Sequence, residues 1–152
     1  MDELFPQTLQ NMADILMALE KRVPPPQQVA LKNGFVFRYK EQSIHQALIQ
    51  KLARIVSGLQ AAWILLKHGF VQEQAVMQRM LDEFQEDTLF LASAVILNNT
   101  TALHTEYLVA FFEEEFDKPE DPLSSTQKRP MIPRKKIRAY LAACRTFRIK
   151  KA

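Results

Sequence analysis

The segment ILLKHGFVQEQA, residues 64–75, decides the fold because it sets one glycine between two long amphipathic patterns. Upstream of the glycine, apolar residues recur at spacings of three and four, which predicts a helix over about residues 40–68. A second helical pattern begins directly after the break and continues to Leu97. Gly69 can take the left-handed conformation that ends a helix, and so short a break predicts an antiparallel helical hairpin.

Three further helices are predicted, and they make the fold class all-α. Their apolar residues recur at helical spacing over about residues 7–21, 101–116 and 134–147. Only three glycines occur in 152 residues, which argues against a fold built from strands and tight turns. We therefore expect an antiparallel bundle of about five helices around the long central hairpin.

The connection between the first two helices is the least helical part of the sequence. Three consecutive prolines, residues 24–26, stop the first helix because proline fixes φ and lacks a backbone N–H. The Asn-Gly pair at 33–34 predicts a turn. A short β-hairpin over residues 29–39 is therefore an alternative to a chain without strands. We expect Phe35 and Phe37 to plug one edge of the core.

The chain length suits a single domain, with a basic helix at its C-terminal end. Residues 1–116 are predicted to form the core of the helical bundle. Residues 117–133 contain four prolines and are predicted to form a linker. Residues 134–152 are predicted to form a basic amphipathic helix that packs on or next to the bundle.

The net charge of +3 conceals a sharp division along the chain. Residues 128–152 contain ten Lys or Arg and no acidic residue, while the preceding 127 residues carry ten basic and seventeen acidic side chains. Such a division can signal a nucleic-acid-binding arm, but we favour the alternative that the tail docks on its own acidic body or is plain solvated charge. A basic helix of this kind also suits an anionic membrane surface. The arginines along one edge of this helix, our candidates for binding phosphates, are Arg134, Arg138, Arg145 and Arg148.

The second long helix changes character along its length. Arg79, Glu83 and Glu86 lie on adjacent turns of its first half, so the arginine can form ion pairs with both carboxylates. These three residues are a candidate site where a neighbouring helix buries them, and a solvated charged face otherwise. Residues 89–97 are apolar on nearly all sides, which predicts a cover on both sides. The fourth and fifth helices or a second copy of the chain would supply it, and we expect a homo-oligomer, a dimer.

Composition and motifs exclude several classes of protein. The single cysteine, Cys144, excludes an internal disulfide and a cysteine-based zinc site, and it is typical of a reducing cytoplasm. The N-terminus lacks the basic and apolar regions of a signal peptide. The longest apolar stretch, residues 89–97, is far shorter than the roughly 18–20 residues that span a bilayer. From the single cysteine and the short apolar stretch we expect a soluble, cytoplasmic protein. The motifs HExxH, GxGxxG and GxxxxGK[ST] are absent, and we expect no cofactor.

Two of the three histidines belong to a candidate metal-binding set. Glu41 lies one helical turn before His45, and the reversal of the chain brings His104 towards the same end of the bundle. Glu41, His45 and His104 are therefore the candidate ligands for zinc or another divalent metal. The alternative, which we favour, is that no metal binds and that a hydrogen bond to Glu41 orients His45 at the edge of the core.

The segment RYKEQSIH, residues 38–45, resembles the Arg-x(4–6)-His signature of the HEPN helical-bundle ribonucleases. The resemblance implies that His45 acts as the catalytic base and that Arg38 contacts phosphate. It also implies that the two residues are paired across a dimer.

A second resemblance covers about residues 40–98. The string HGFVQEQAVMQRMLDEF, residues 68–84, is similar to a family of uncharacterised bacterial all-α proteins of unknown function, whose best-marked positions match Arg79 and Glu83. Some relatives of that family lie near phage-defence or toxin systems. We therefore expect a non-enzymatic helical binding or assembly module linked to such systems, with a dimeric HEPN-type ribonuclease as the alternative.

Overall fold

The computed structural model describes residues 4–31, 34–113 and 132–144. These residues form five helices and one two-stranded sheet, and most of them are helical. The elements in chain order are α1 (Leu4–Glu20), β1 (Gln27–Leu31), β2 (Gly34–Arg38), α2 (Ile44–Lys67), α3 (Val71–Ile96), α4 (Ala102–Phe112) and α5 (Arg134–Ala143). Most of the predicted linker, residues 117–131, lies outside the described residues, as do Arg145 and Arg148.

Helix α2 begins four residues later than predicted because Ser43 caps it. The Ser43 hydroxyl accepts a hydrogen bond from the Gln46 backbone N–H at 3.2 Å, and the Gln46 side chain accepts one from the Ser43 N–H at 3.1 Å. This reciprocal pair is a capping box, which satisfies two N–H groups at the helix start. The buried Gln46 side chain also donates to the Pro24 carbonyl at 3.4 Å, which ties the proline connection to α2.

The predicted break at Gly69 is confirmed, and its backbone geometry explains why α2 stops there. Gly69 has a φ of +79°, in the region that side-chain-bearing residues rarely adopt. Its N–H donates to the Leu66 carbonyl at 3.1 Å, and the Phe70 N–H donates to the Leu65 carbonyl at 2.9 Å. These two bonds form a Schellman motif, which satisfies carbonyls at the helix end while the chain turns into α3.

Helices α2 and α3 pack antiparallel, since residues later in α2 contact residues earlier in α3. Lys51 of α2 contacts Asp87 of α3, and seven residues further along α2 Gly58 packs on Leu81. A Cβ at position 58 would lie 2.8 Å from Leu81 Cδ2, so the absence of a side chain there lets the two helices approach closely.

The apolar second half of α3 is covered by α4 and α5. Phe90 and Leu91 are fully buried in a cluster with Ala47 of α2, Tyr107 of α4 and Ile137 of α5. At Phe90 and Leu91, helices α4 and α5 of the same chain therefore bury the apolar side chains of α3. At the end of the helix the prediction of burial is wrong, because the residues over 95–97 are 40–63% exposed.

The hairpin left open by the sequence is present. Strands β1 and β2 pair antiparallel, with Gln27 opposite Arg38 and Leu31 opposite Gly34. The predicted role of Phe35 and Phe37 as plugs of the core is wrong, because more than half of each side chain is exposed. Their rings instead contact each other edge to face, with centroids 5.6 Å apart.

Helix α1 packs on α2 through few buried residues. The Phe5 ring lies 4.6 Å from the Trp63 ring, centroid to centroid, and Leu9 is the residue that α1 buries. None of the helices in residues 4–31, 34–113 and 132–144 combines the length and apolar character that a membrane span requires.

Candidate functional site

A buried group of charged side chains joins three helices around Asp87, which is 1% exposed. The Lys51 ammonium from α2 donates to Asp87 Oδ2 at 2.7 Å. The Arg134 guanidinium from α5 donates to both carboxylate oxygens, at 3.4 Å for Oδ2. We call Lys51, Asp87 and Arg134 the ion cluster. Because an unpaired buried carboxylate is strongly unfavourable, the two cations make the burial of Asp87 tolerable.

Aromatic rings from α3 and α4 surround the Lys51 end of the ion cluster. The Lys51 ammonium lies 5.0 Å from the Phe84 ring centroid and 5.1 Å from that of Phe111. Burial, followed by the nearby Asp87 carboxylate, raises the pKa of the Tyr107 hydroxyl, so this group stays neutral and can donate to Asp87. The cluster is thus a closed arrangement of paired charges, which favours a structural role over an open catalytic one.

The sequence makes ion pairs of Arg79 with Glu83 and Glu86 available, but the described residues pair these two carboxylates with other partners. Arg79 itself is exposed. Glu83 instead lies 3.7 Å from Arg134, and Glu86 accepts a hydrogen bond from Arg138 Nε at 2.8 Å. The carboxylates of α3 therefore face α5, and the candidate site of Arg79, Glu83 and Glu86 is not assembled.

Two of the four predicted phosphate-binding arginines are used within the chain. Arg134 belongs to the ion cluster, and Arg138 pairs with Glu86. The described part of the basic tail thus docks on the acidic body, which is the alternative that the charge division left open. Arg145 and Arg148 lie outside the described residues.

The histidines occupy different environments. His104 is fully buried, while His45 is exposed in the first turn of α2. Among residues 4–31, 34–113 and 132–144 no three His, Cys, Asp or Glu side chains are grouped to hold a metal ion. Glu41, His45 and His104 are therefore not brought together as a ligand set.

The two ring nitrogens of His104 have opposite hydrogen-bonding roles. Nδ1 accepts from the Thr101 N–H at 3.1 Å and lies 2.8 Å from the Thr101 hydroxyl, which closes a capping box at the start of α4. Nε2 lies 3.1 Å from the Phe90 carbonyl, to which it donates, and the imidazole stacks on the Phe90 ring. A proton on Nδ1 would face the Thr101 N–H, so this geometry requires the neutral ring.

The stability of the protein is expected to fall below neutral pH because of His104. Burial lowers the pKa of the His104 imidazole, and the Phe90 carbonyl opposes this effect only in part. The unfolded state takes up this proton at a higher pH than the folded state. The neutral His104 ring therefore contributes fully to the free energy of unfolding above about pH 6.5, the ordinary histidine pKa, and this contribution is lost as the pH falls through the lower pKa of the folded state. The measurement is the free energy of unfolding in urea at about pH 7.5 and 5.5.

The control for this prediction is His104→Gln, which keeps a side chain able to accept from Thr101, as Gln46 does from Ser43. The variant should lose less stability than the parent between the two pH values. The same loss in both proteins would show that His104 is not the group responsible.

Arg38 lines a cleft where the β-hairpin meets the start of α2 and the end of α4. The cleft has a volume of about 320 Å³. We call it the Arg38 cleft, and its lining residues are Pro26, Phe37, Arg38, Tyr39, Gln42, Gln50 and Phe112. His45 is not among them, so the structure does not place the two residues of the Arg-x(4–6)-His pattern in one cleft.

Exposed apolar side chains flank the turn between α2 and α3 on both helices. We call these residues together the apolar tip; they are Ile64, Leu66, Phe70, Val71 and Val76. Each of the five is 48–70% exposed. Single exposed apolar residues are ordinary, but a group of this kind at one end of a molecule is typical of an interaction surface.

The ion cluster was missed by the sequence analysis, although one signal for it was present. Asp87 lies three residues after Phe84 and four before Leu91, on the apolar stripe of α3. A carboxylate at such a position needs a buried cation, and this could have directed attention to Asp87 in place of Arg79. No family model matches the chain, and neither a curated protein nor a solved structure is significantly similar to it.

Proposed function

We propose that the chain is a non-catalytic assembly module, an antiparallel helical bundle around the central α2–α3 hairpin that pairs with a second copy through the apolar tip. The observation that carries the proposal is the tip itself, with five large apolar side chains exposed within thirteen residues of sequence. Burying such a patch against a partner releases water from apolar surface, which is the main driving force for protein association.

The buried polar groups leave little for catalysis. Asp87 is paired with two cations, and both ring nitrogens of His104 are engaged. A catalytic acid or base needs a proton that substrate can reach, whereas these groups are buried and bonded to the protein. The exposed apolar side chains of the apolar tip support binding instead.

The charges beside the apolar tip suit a symmetric dimer. Lys67 ends α2 and lies 4.9 Å from the Trp63 ring centroid, and Glu73 lies in the first turn of α3. A two-fold interface brings the same patch together from both copies, so a cation and an anion on one patch can pair reciprocally. A second copy therefore fits the tip in charge as well as in apolar character.

The substitution Val76→Asp is expected to weaken the dimer at least about tenfold, because a two-fold interface would bury two unpaired carboxylates. The measurement is the mass of each protein by light scattering over a concentration series. Val109→Asp is the matched control, since Val109 is similarly exposed but lies on α4, away from the tip.

The control variant should dimerise as the parent does, and circular dichroism should show equal helix content in all three proteins. Equal dimerisation of the parent and the Val76 variant would place the interface elsewhere and defeat the proposal.

The proposal includes two expectations taken from the sequence. One is a cytoplasmic location, for which the single cysteine argues. The other is a link to bacterial defence or toxin systems, which the resemblance over residues 68–84 implies. Nucleic-acid binding by α5 is not included, because Arg134 and Arg138 form ion pairs within the chain.

The second candidate function is RNA cleavage by a dimer of HEPN type. It is favoured by one observation, the exposure of His45 three residues after Gln42, which lines the Arg38 cleft. The discriminating assay is RNA degradation by the pure protein and by His45→Ala. Degradation that disappears in the variant supports the ribonuclease, and absence of degradation by the parent removes it.

A further inference from the structure

A groove runs along the face of α4 that turns away from the core. The opposite face of the helix carries the buried His104 and Tyr107. The groove has a volume of about 450 Å³, and Ile132, two residues before α5, is part of its lining. We call it the α4 groove, and its other lining residues, which follow the i, i+3, i+4, i+7 pattern of one helix face, are Ala102, Thr105, Glu106, Val109, Ala110 and Glu113.

The shape of the α4 groove suits a helix. Val109 is 61% exposed in its middle, and the alanines at 102 and 110 add little side chain beside it. Small side chains let a second helix pack closely, because a ridge of its side chains can enter the groove. The lining spans the eleven residues of α4, about 16 Å at 1.5 Å per residue, which accommodates about three turns of a partner helix.

The charge of the α4 groove favours a cationic partner. Glu106 and Glu113 lie seven residues apart on the same face, and none of the described residues that line the groove is basic. Glu106 pairs with Lys136, but this pair is weak because its atoms are 3.7 Å apart and about half of each side chain is exposed. The last turn of α4 has no basic side chain to balance the partial negative charge of its C-terminal carbonyls.

From these features we infer that the α4 groove binds a basic amphipathic helix of a partner protein. Two basic side chains of that helix, seven residues apart, pair with Glu106 and Glu113, and apolar side chains between them cover Val109. The chain's own basic helix, α5, is already engaged with α3 through Arg134 and Arg138. Since α4 carries no residue of the apolar tip, the inference requires neither dimerisation nor RNA cleavage.

The experiment is a fluorescence-anisotropy titration of the full chain into a labelled, alanine-based helical peptide of about 15 residues. The peptide carries two arginines seven residues apart, with leucines three and four residues after the first. We expect a dissociation constant below about 100 µM. Val109→Asp should weaken binding at least about tenfold, because a carboxylate replaces the apolar contact. Glu113→Gln should weaken it about threefold and reduce its dependence on salt.

Two matched controls place the same changes at exposed positions elsewhere in the chain. Val76→Asp alters the apolar tip, and Glu73→Gln removes a carboxylate from the first turn of α3. Both variants should bind the peptide as the parent does. A peptide with glutamates in place of the two arginines should not bind, because its charges would face Glu106 and Glu113.

Four outcomes would overturn the inference. The first two are no binding of the arginine peptide at chain concentrations approaching millimolar, and equal weakening by Glu73→Gln and Glu113→Gln. A chain shortened to residues 1–144 that binds at least about tenfold more tightly than the full chain would assign the groove to the chain's own basic end. A Val109→Asp variant that no longer dimerises would assign it to a second copy.

Discussion

Asp87→Asn is expected to lower the free energy of unfolding by about 3–5 kcal/mol, the cost of removing one partner from a buried ion pair. Lys51 and Arg134 would keep their charges but lose the carboxylate that neutralises them. Because these cations come from α2 and α5, the loss should weaken the attachment of both helices to α3. The measurement is urea denaturation followed by helical circular dichroism.

The matched control for Asp87 is Asp82→Asn on the same helix. Asp82 is exposed and accepts a hydrogen bond from Gln78 at 3.0 Å, which an asparagine can also accept. This variant should change stability by less than about 0.5 kcal/mol. A loss below about 1 kcal/mol for Asp87→Asn would contradict the assignment of the ion cluster as a buried, mutually dependent group.

Phe90→Ala is expected to cost about 3–5 kcal/mol, as large-to-small substitutions of buried aromatic residues do. Phe90 is fully buried, and its ring is stacked on His104 at 4.1 Å between centroids. The same ring contacts Tyr107 of α4 and Tyr140 of α5. A cavity at this position would therefore separate α3 from both helices that cover it.

Val95→Ala is the control for Phe90, since Val95 lies five residues further along α3 and is 41% exposed. It should change stability by less than about 1 kcal/mol in the same urea titration. A Phe90 variant as stable as this control would mean that α4 and α5 do not form one core with α3.

The local elements of this fold could be predicted because their causes are local. The spacing of apolar residues gave all five helices, and Gly69 marked the end of α2 because only nearby backbone bonds decide that turn. Periodicity places the start of α2 four residues too early, because the capping box of Ser43 and Gln46 sets that start. Boundaries depend on such single side chains more than on periodicity.

The pairing of charges could not be predicted in the same way. Arg79 has carboxylates one turn away on its own helix, yet Glu83 and Glu86 face arginines some fifty residues later in the chain. Pairs within a helix contribute only a few tenths of a kcal/mol, so the docking of α5 overrides them. The sequence offers His104 as a candidate ligand because it does not show that the imidazole ring closes a cap against Thr101.

Assembly through the apolar tip is the claim on which the functional account depends, and sedimentation equilibrium of the unmodified chain tests it most directly. At concentrations rising into the micromolar range, the account predicts a species of twice the chain mass of 17.6 kDa. A mass of 17.6 kDa at every concentration would contradict it.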